Sequence, residues 1–92
     1  MQHFKITVKG RVQGVSFRAF TLKSAKKHII NGTVKNCANG DVEIIASGTK
    51  QAMQLFIQDC RKGSLFAKVT DLDITELGSP TELEPNFRII DR

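Results

Sequence analysis

From residue 3 to residue 13 apolar and polar side chains alternate. Phe4, Ile6, Val8 and Val12 are apolar, and Lys5, Thr7, Lys9, Arg11 and Gln13 are polar. A period of two sends neighbouring side chains to opposite faces, so this stretch reads as a strand with one buried face. The period then changes. Between 17 and 30, Phe17, Phe20, Ala25 and Ile29 share a helical stripe with Lys23, Lys26 and Lys27 largely off it, which predicts an amphipathic helix ended by Asn31-Gly32. Thr33 to Cys37 and Val42 to Ser47 read as two strands joined through Asn39-Gly40, a strong hairpin signal. A second helix is predicted from about Thr49 to Arg61, where Met53, Phe56, Ile57 and Cys60 recur at helical spacing until Gly63 stops it. In a fourth strand, Ala67 to Glu76, the apolar positions Val69, Leu72 and Ile74 shift phase once, the mark of a bulge or an edge. Pro80 and Pro85 bracket a loop, and Phe87 to Ile90 form a short last strand.

The order βαββαβ predicts an α+β fold over a single domain, residues 1–92. The architecture is a ferredoxin-like sandwich, with two helices packed on one face of a four-stranded antiparallel sheet and a short C-terminal strand. In that topology the first two strands run parallel with the third between them, so their C-terminal ends share one rim. Arg18 and Asn36 are therefore expected to converge beside the start of the first helix.

The strand-to-helix turn, Gly10 to Arg18, has the composition of an anion site. Amides in the first helical turn lack intrahelical partners, and the helix dipole adds partial positive charge at the same end. Gly14 permits close backbone approach, and the Arg18 guanidinium offers a planar fork of donors to two oxygens. One glycine and one arginine could equally be a tight turn with a solvated side chain; the whole nine-residue run carries the reading. Asn36 could be a strand-ending residue bonded to its own backbone. It shares a face with Val34, however, and an idle amide is costly on the buried side.

The run Gly10, Arg11, Val12, Gln13, Gly14, Val15, Ser16, Phe17, Arg18 resembles the signature of the acylphosphatases, metal-independent hydrolases of carboxyl phosphates. Gly32-Thr33-Val34-Lys35-Asn36, followed by Asn39-Gly40-Asp41-Val42-Glu43, is similar to that family's second signature. Lys62-Gly63 and Ala67-Lys68-Val69 match later landmarks, so the similarity spans nearly all 92 residues. Ser16 stands where glycine is common, Ala19 where tyrosine is common and Thr33 where tryptophan is common. The resemblance implies hydrolysis of an acyl phosphate to a carboxylate and inorganic phosphate, with Arg18 and Asn36 as catalytic residues and no cofactor. The phosphate cradle is expected from Gln13, Gly14, Val15, Ser16, Phe17 and Arg18, and inorganic phosphate or sulfate is expected as product or inhibitor. Such an anhydride has a good leaving group, so positioning and charge stabilisation suffice. A non-catalytic binding or carrier module of the same fold is the alternative.

Fourteen Lys and Arg against nine Asp and Glu give a formal charge of +5, which favours anionic partners without naming one. Nucleic acid is the competitor from another class. RNA-recognition sheets stack bases on aromatics, whereas the open face predicted here shows Lys5, Thr7, Lys9 and Arg11 beside Asp41, Glu43, Ile45 and Ser47. There is no Trp or Tyr, and five of the six Phe fall on core-facing positions. No apolar run reaches the length of a membrane span, and Met1-Gln2-His3-Phe4-Lys5 lacks the apolar core of a signal peptide, so a cytoplasmic protein is expected; a monomer is expected as well. Cys37 and Cys60 suit neither a disulfide framework nor a zinc site and read as reduced thiols, Cys60 within the core. His3 and His28 lack partners at ligand spacing and read as surface residues, so no metal is expected. Asp71-Leu72-Asp73-Ile74-Thr75 matches an aspartyl-phosphate motif, but only 17 residues follow Thr75, too few for the domain that chemistry needs.

Overall fold

The computed structural model describes residues 1–79 and 85–90. Along the chain run β1 (Gln2–Arg11), α1 (Phe17–His28), β2 (Asn31–Asn36), β3 (Val42–Gly48), α2 (Lys50–Lys62), β4 (Lys68–Glu76) and β5 (Phe87–Ile89). The strands lie in the order β4-β1-β3-β2-β5. Both β1 and β2 pair antiparallel with β3, so they run parallel to each other and end at one rim.

The sheet has five strands and is mixed, where a four-stranded antiparallel sheet was expected. The short last strand joins it, pairing β5 parallel to β2 along Gly32 to Val34. Burial explains the addition: Phe87 is 4% exposed, and its ring meets Phe56 edge-on at 5.9 Å. The Pro80 end of the predicted loop lies outside the described residues.

Most of the core comes from apolar positions that the strand alternation and the helical stripes marked. Ile6 and Val8 of β1, Val34 of β2, and Val42, Ile44 and Ala46 of β3 are fully buried beneath Phe17, Ala25, Met53, Phe56 and Cys60 of the helices. Truncating Phe56 to alanine should cost about 3–5 kcal/mol at such a site. The phase shift in β4 is both an edge and a bulge: Lys9 pairs with Asp71 and Gly10 with Val69, leaving Thr70 extra.

The end of α1 differs from expectation. The helix stops at His28, and Ile29 caps it in the left-handed region (φ 57°) with its side chain 81% exposed. The Ile30 amide bonds back to Ala25 O at 2.8 Å, which turns Ile30 into the core in place of Ile29. Asn31-Gly32 thus opens β2 rather than closing the helix. Gly32 is required there by proximity, since a β-carbon would fall 1.7 Å from Ile45 O on the neighbouring strand. Thr49 caps α2, its hydroxyl accepting from the Ala52 amide at 3.1 Å.

The open face of the sheet pairs its charges. Lys5 and Lys35 reach Glu43 at 3.6 and 3.5 Å, and Lys9 reaches Asp73 at 3.5 Å. His28, expected at the surface, is half-buried between the helices, with Nε2 3.1 Å from Asp59 Oδ2. The α1–α2 packing encloses a polar link that single-sequence spacing does not display.

Candidate active site

Between β1 and α1 the backbone crosses into the left-handed region twice, at Gly14 (φ 74°) and Ser16 (φ 61°), with Val15 between them outside it. Such alternation turns successive amides to one side and forms an anion-binding concavity. Ser16 is also the N-cap of α1, yet its side chain makes no capping bond. The Phe20 amide bonds Ser16 O at 3.1 Å, so the amides of Phe17, Arg18 and Ala19 precede the first helical hydrogen bond. No acidic residue occupies the first turn, so the helix's own first-turn side chains leave the positive end of its dipole uncompensated.

This end of α1 faces a cavity of about 250 Å³. Gly14, Ser16, Phe17 and Arg18 line it from the turn and the helix, and Asn36 lines it from the end of β2. The crossover thus brings Arg18 and Asn36 to one cavity, as the topology predicts. Asn36 Oδ1 is buried with no hydrogen-bond partner. An unsatisfied buried acceptor costs about 1–3 kcal/mol, so one that opens on a cavity without a protein partner is available to water, an ion or a ligand there.

Of the other predicted phosphate-binding residues, Gln13 and Val15 do not line the cavity. Gln13 Nε2 donates to Cys37 O at 2.8 Å and to Asp41 O at 2.9 Å, tying the turn to the β2–β3 hairpin. Val15 is held from behind, its carbonyl accepting from Ser64 Oγ at 2.9 Å. Sequence reasoning missed Ser64 and also Ile89, which closes the cavity from β5. Nothing in a lone serine after a helix-stopping glycine signals a contact 49 residues back. The parallel seat of β5 that delivers Ile89 was likewise not foreseen.

Cys37 is a half-buried free thiol beside the site. Cys60 is fully buried, and desolvation, with Asp59 adjacent, pushes its thiol up to about 12, so it remains protonated and inert. Among the described residues no group of three or more His, Cys, Asp or Glu could hold a metal ion.

Comparison with known proteins agrees with this geometry. The acylphosphatase family model matches residues 4–89. The acylphosphatase of Bacillus subtilis (strain 168) is 47% identical over 76 residues, which is 83% of this chain and 84% of that protein. The crystal structure of acylphosphatase from Bacillus subtilis superposes with a TM-score of 0.93 at 43% identity, covering 98% of this chain and 99% of that one. The fold also matches T. kodakarensis HypF, with a TM-score of 0.88 at 29% identity over 100% of this chain but 12% of that one.

Proposed function

Because this chain belongs to the acylphosphatase family, we propose that it hydrolyses the carboxyl–phosphate bond of a small acyl phosphate, with Arg18 and Asn36 as its working side chains. The amides from Gly14 to Arg18 and the Arg18 guanidinium hold the phosphoryl oxygens, where charge spreads in the transition state. The Asn36 side-chain carbonyl accepts a hydrogen bond from the attacking water and aims its oxygen at phosphorus. The water oxygen bonds to phosphorus as the bond from phosphorus to the acyl oxygen breaks. The carboxylate departs with that electron pair, and both protons of the water end on the released phosphate. No strong base is needed because the leaving group is a stable carboxylate.

The observation that carries this reading is the buried, unpartnered Asn36 Oδ1 in the same cavity as Gly14 and Arg18. An acceptor and a set of donors line one cavity, which suits a water between them. In this reading the protein works as a monomer in the cytoplasm, where its two free cysteines stay reduced. Inorganic phosphate and sulfate compete for the cradle.

Hydrolysis of benzoyl phosphate in excess EDTA tests the proposal. Sustained turnover is expected. Folded protein that leaves benzoyl phosphate intact would sink it and favour a binding module of the same fold.

A further inference from the structure

Charge is divided unequally between the two layers. The segments forming α1 and α2 carry seven Lys and Arg against one acid, Asp59, whereas the rest of the sequence carries seven against eight. The chain's net charge of +5 therefore belongs to the helical side. Asp59 is already engaged: Ser24 Oγ donates to its Oδ2 at 2.7 Å, and His28 Nε2 lies 3.1 Å from the same oxygen. A groove of about 280 Å³ runs between the helices, with Phe20 in it and Lys23, Lys27 and Lys62 along it, all three lysines exposed. It shares no lining residue with the cavity of Arg18 and Asn36.

We propose that this groove docks an acidic segment of a partner protein, seating one apolar side chain against Phe20 and pairing flanking carboxylates with Lys23, Lys27 and Lys62. Charge selects this occupant: three exposed lysines flank one aromatic ring, an arrangement that complements carboxylates on either side of an apolar side chain. The positive field extends beyond the groove to Lys26 and Arg61, which calls for an extended partner. Nucleic acid would bring phosphates toward Asp59, whose carboxylate also lines the groove, whereas an apolar side chain sits beside it without repulsion. A membrane surface is flat and leaves a concave apolar floor unfilled. Complementary charge gives the encounter its rate, and the apolar anchor gives it register.

A library of random short peptides displayed on phage, panned against the full chain at low salt, tests the proposal without reference to the hydrolytic reading. The expected winners place Asp and Glu on either side of one apolar residue. Their binding, followed by fluorescence anisotropy, should weaken at least about tenfold in the combined variant Lys23→Glu, Lys27→Glu, Lys62→Glu, and should fall as salt rises. A milder variant with Gln at the same three positions guards against misfolding and should lose affinity in the same direction. The kcat for benzoyl phosphate should not change in the Gln variant, because these lysines do not line the cavity. Failure to enrich acidic sequences, or winners that bind the parent and the Gln variant equally, would overturn the proposal. So would tighter binding of a single-stranded oligonucleotide or of phosphatidylserine vesicles than of any selected peptide.

Discussion

Gln13 Nε2 lies 2.8 Å from the carbonyl oxygen of Cys37, the residue that follows Asn36, so the start of the turn before α1 is fastened to the backbone beside the side chain proposed to orient water. A second bond from the same nitrogen, to Asp41 O at 2.9 Å, makes the link a two-point strap. Gln13→Met keeps the volume and removes both donors. Both carbonyls keep a backbone partner, Gly40 N on Cys37 O at 3.2 Å and Cys37 N on Asp41 O at 2.8 Å, so the loss is that of two hydrogen bonds, about 0.5–1.5 kcal/mol each. Slackening the Asn36 backbone should lower kcat by about ten- to a hundredfold, with phosphate affinity much less affected. The two effects are separated by measuring kcat on folded protein alongside phosphate titration calorimetry. A variant that keeps kcat but loses phosphate would instead make Gln13 part of the cradle.

The two left-handed residues of the turn should respond differently to substitution. A β-carbon at Gly14 meets nothing within 4 Å, so Gly14→Ala suffers only its φ of 74°, a cost of about 1 kcal/mol. Phosphate affinity should fall with it, because the added carbon stands where the ligand approaches. At Ser16 the strain is already present, with φ 61° in a non-glycine residue. Ser16→Gly relieves about 1 kcal/mol but adds a similar loss of unfolded-state entropy, and its stability should stay close to the parent's. Urea unfolding of both variants checks the contrast, and a neutral Gly14→Ala would show that the turn relaxes out of the left-handed region.

How far the site could be read from the chain follows from the kind of contact involved. Arg18 and Asn36 were legible because β1, β2 and the intervening crossover are local patterns, and topology alone brings their ends together. The conformation at Ser16 was visible only as a departure from a glycine-preferring pattern. Gln13 was expected among the phosphate-binding residues because it lies inside the run, and the partners of its amide, 24 and 28 residues away, are backbone carbonyls that no side-chain pattern reports. The exchange of Ile29 for Ile30 in the core has a similar origin. A single left-handed cap shifts the helical phase by one residue, and either isoleucine satisfies the stripe on paper. The parallel seat of β5 was hidden because three residues carry too little periodicity to reveal a partner.

Asp59 should make stability depend on pH in acid. The Ser24 hydroxyl bond, followed by the His28 contacts, holds its carboxyl below the usual value of 3.8 despite some desolvation. A carboxyl depressed in the folded state contributes stability that is fully present above the unfolded value and lost as pH falls through the folded one. Asp59→Asn should therefore be less stable than the parent at neutral pH, and the gap should close below pH 3.8. Because the side chain is about one-third exposed, solvent screens it and the gap should be modest. Denaturant unfolding of both proteins across this range measures it. A gap that stays constant with pH would assign the loss to packing rather than charge.

Arg18 and Asn36 should fail in different ways. A guanidinium that holds the phosphoryl group in both ground and transition states contributes to binding and to turnover, so Arg18→Ala should lose phosphate affinity together with activity. Arg18→Lys should recover little, because an ammonium lacks the two-pronged fork. Asn36 aims a water and gains its full effect in the transition state, so Asn36→Ala should lower kcat by about two orders of magnitude with phosphate affinity retained. Its stability gives a second reading. Asn36 Oδ1 accepts no hydrogen bond from the protein, so its removal breaks no internal bond, and the Ala variant should stay within about 1 kcal/mol of the parent's stability while nearly inactive. Calorimetric phosphate titration, benzoyl phosphate kinetics and urea unfolding on the same preparations decide the matter. Near-parental turnover in Asn36→Ala would end the water-positioning role even with the phosphate cradle intact.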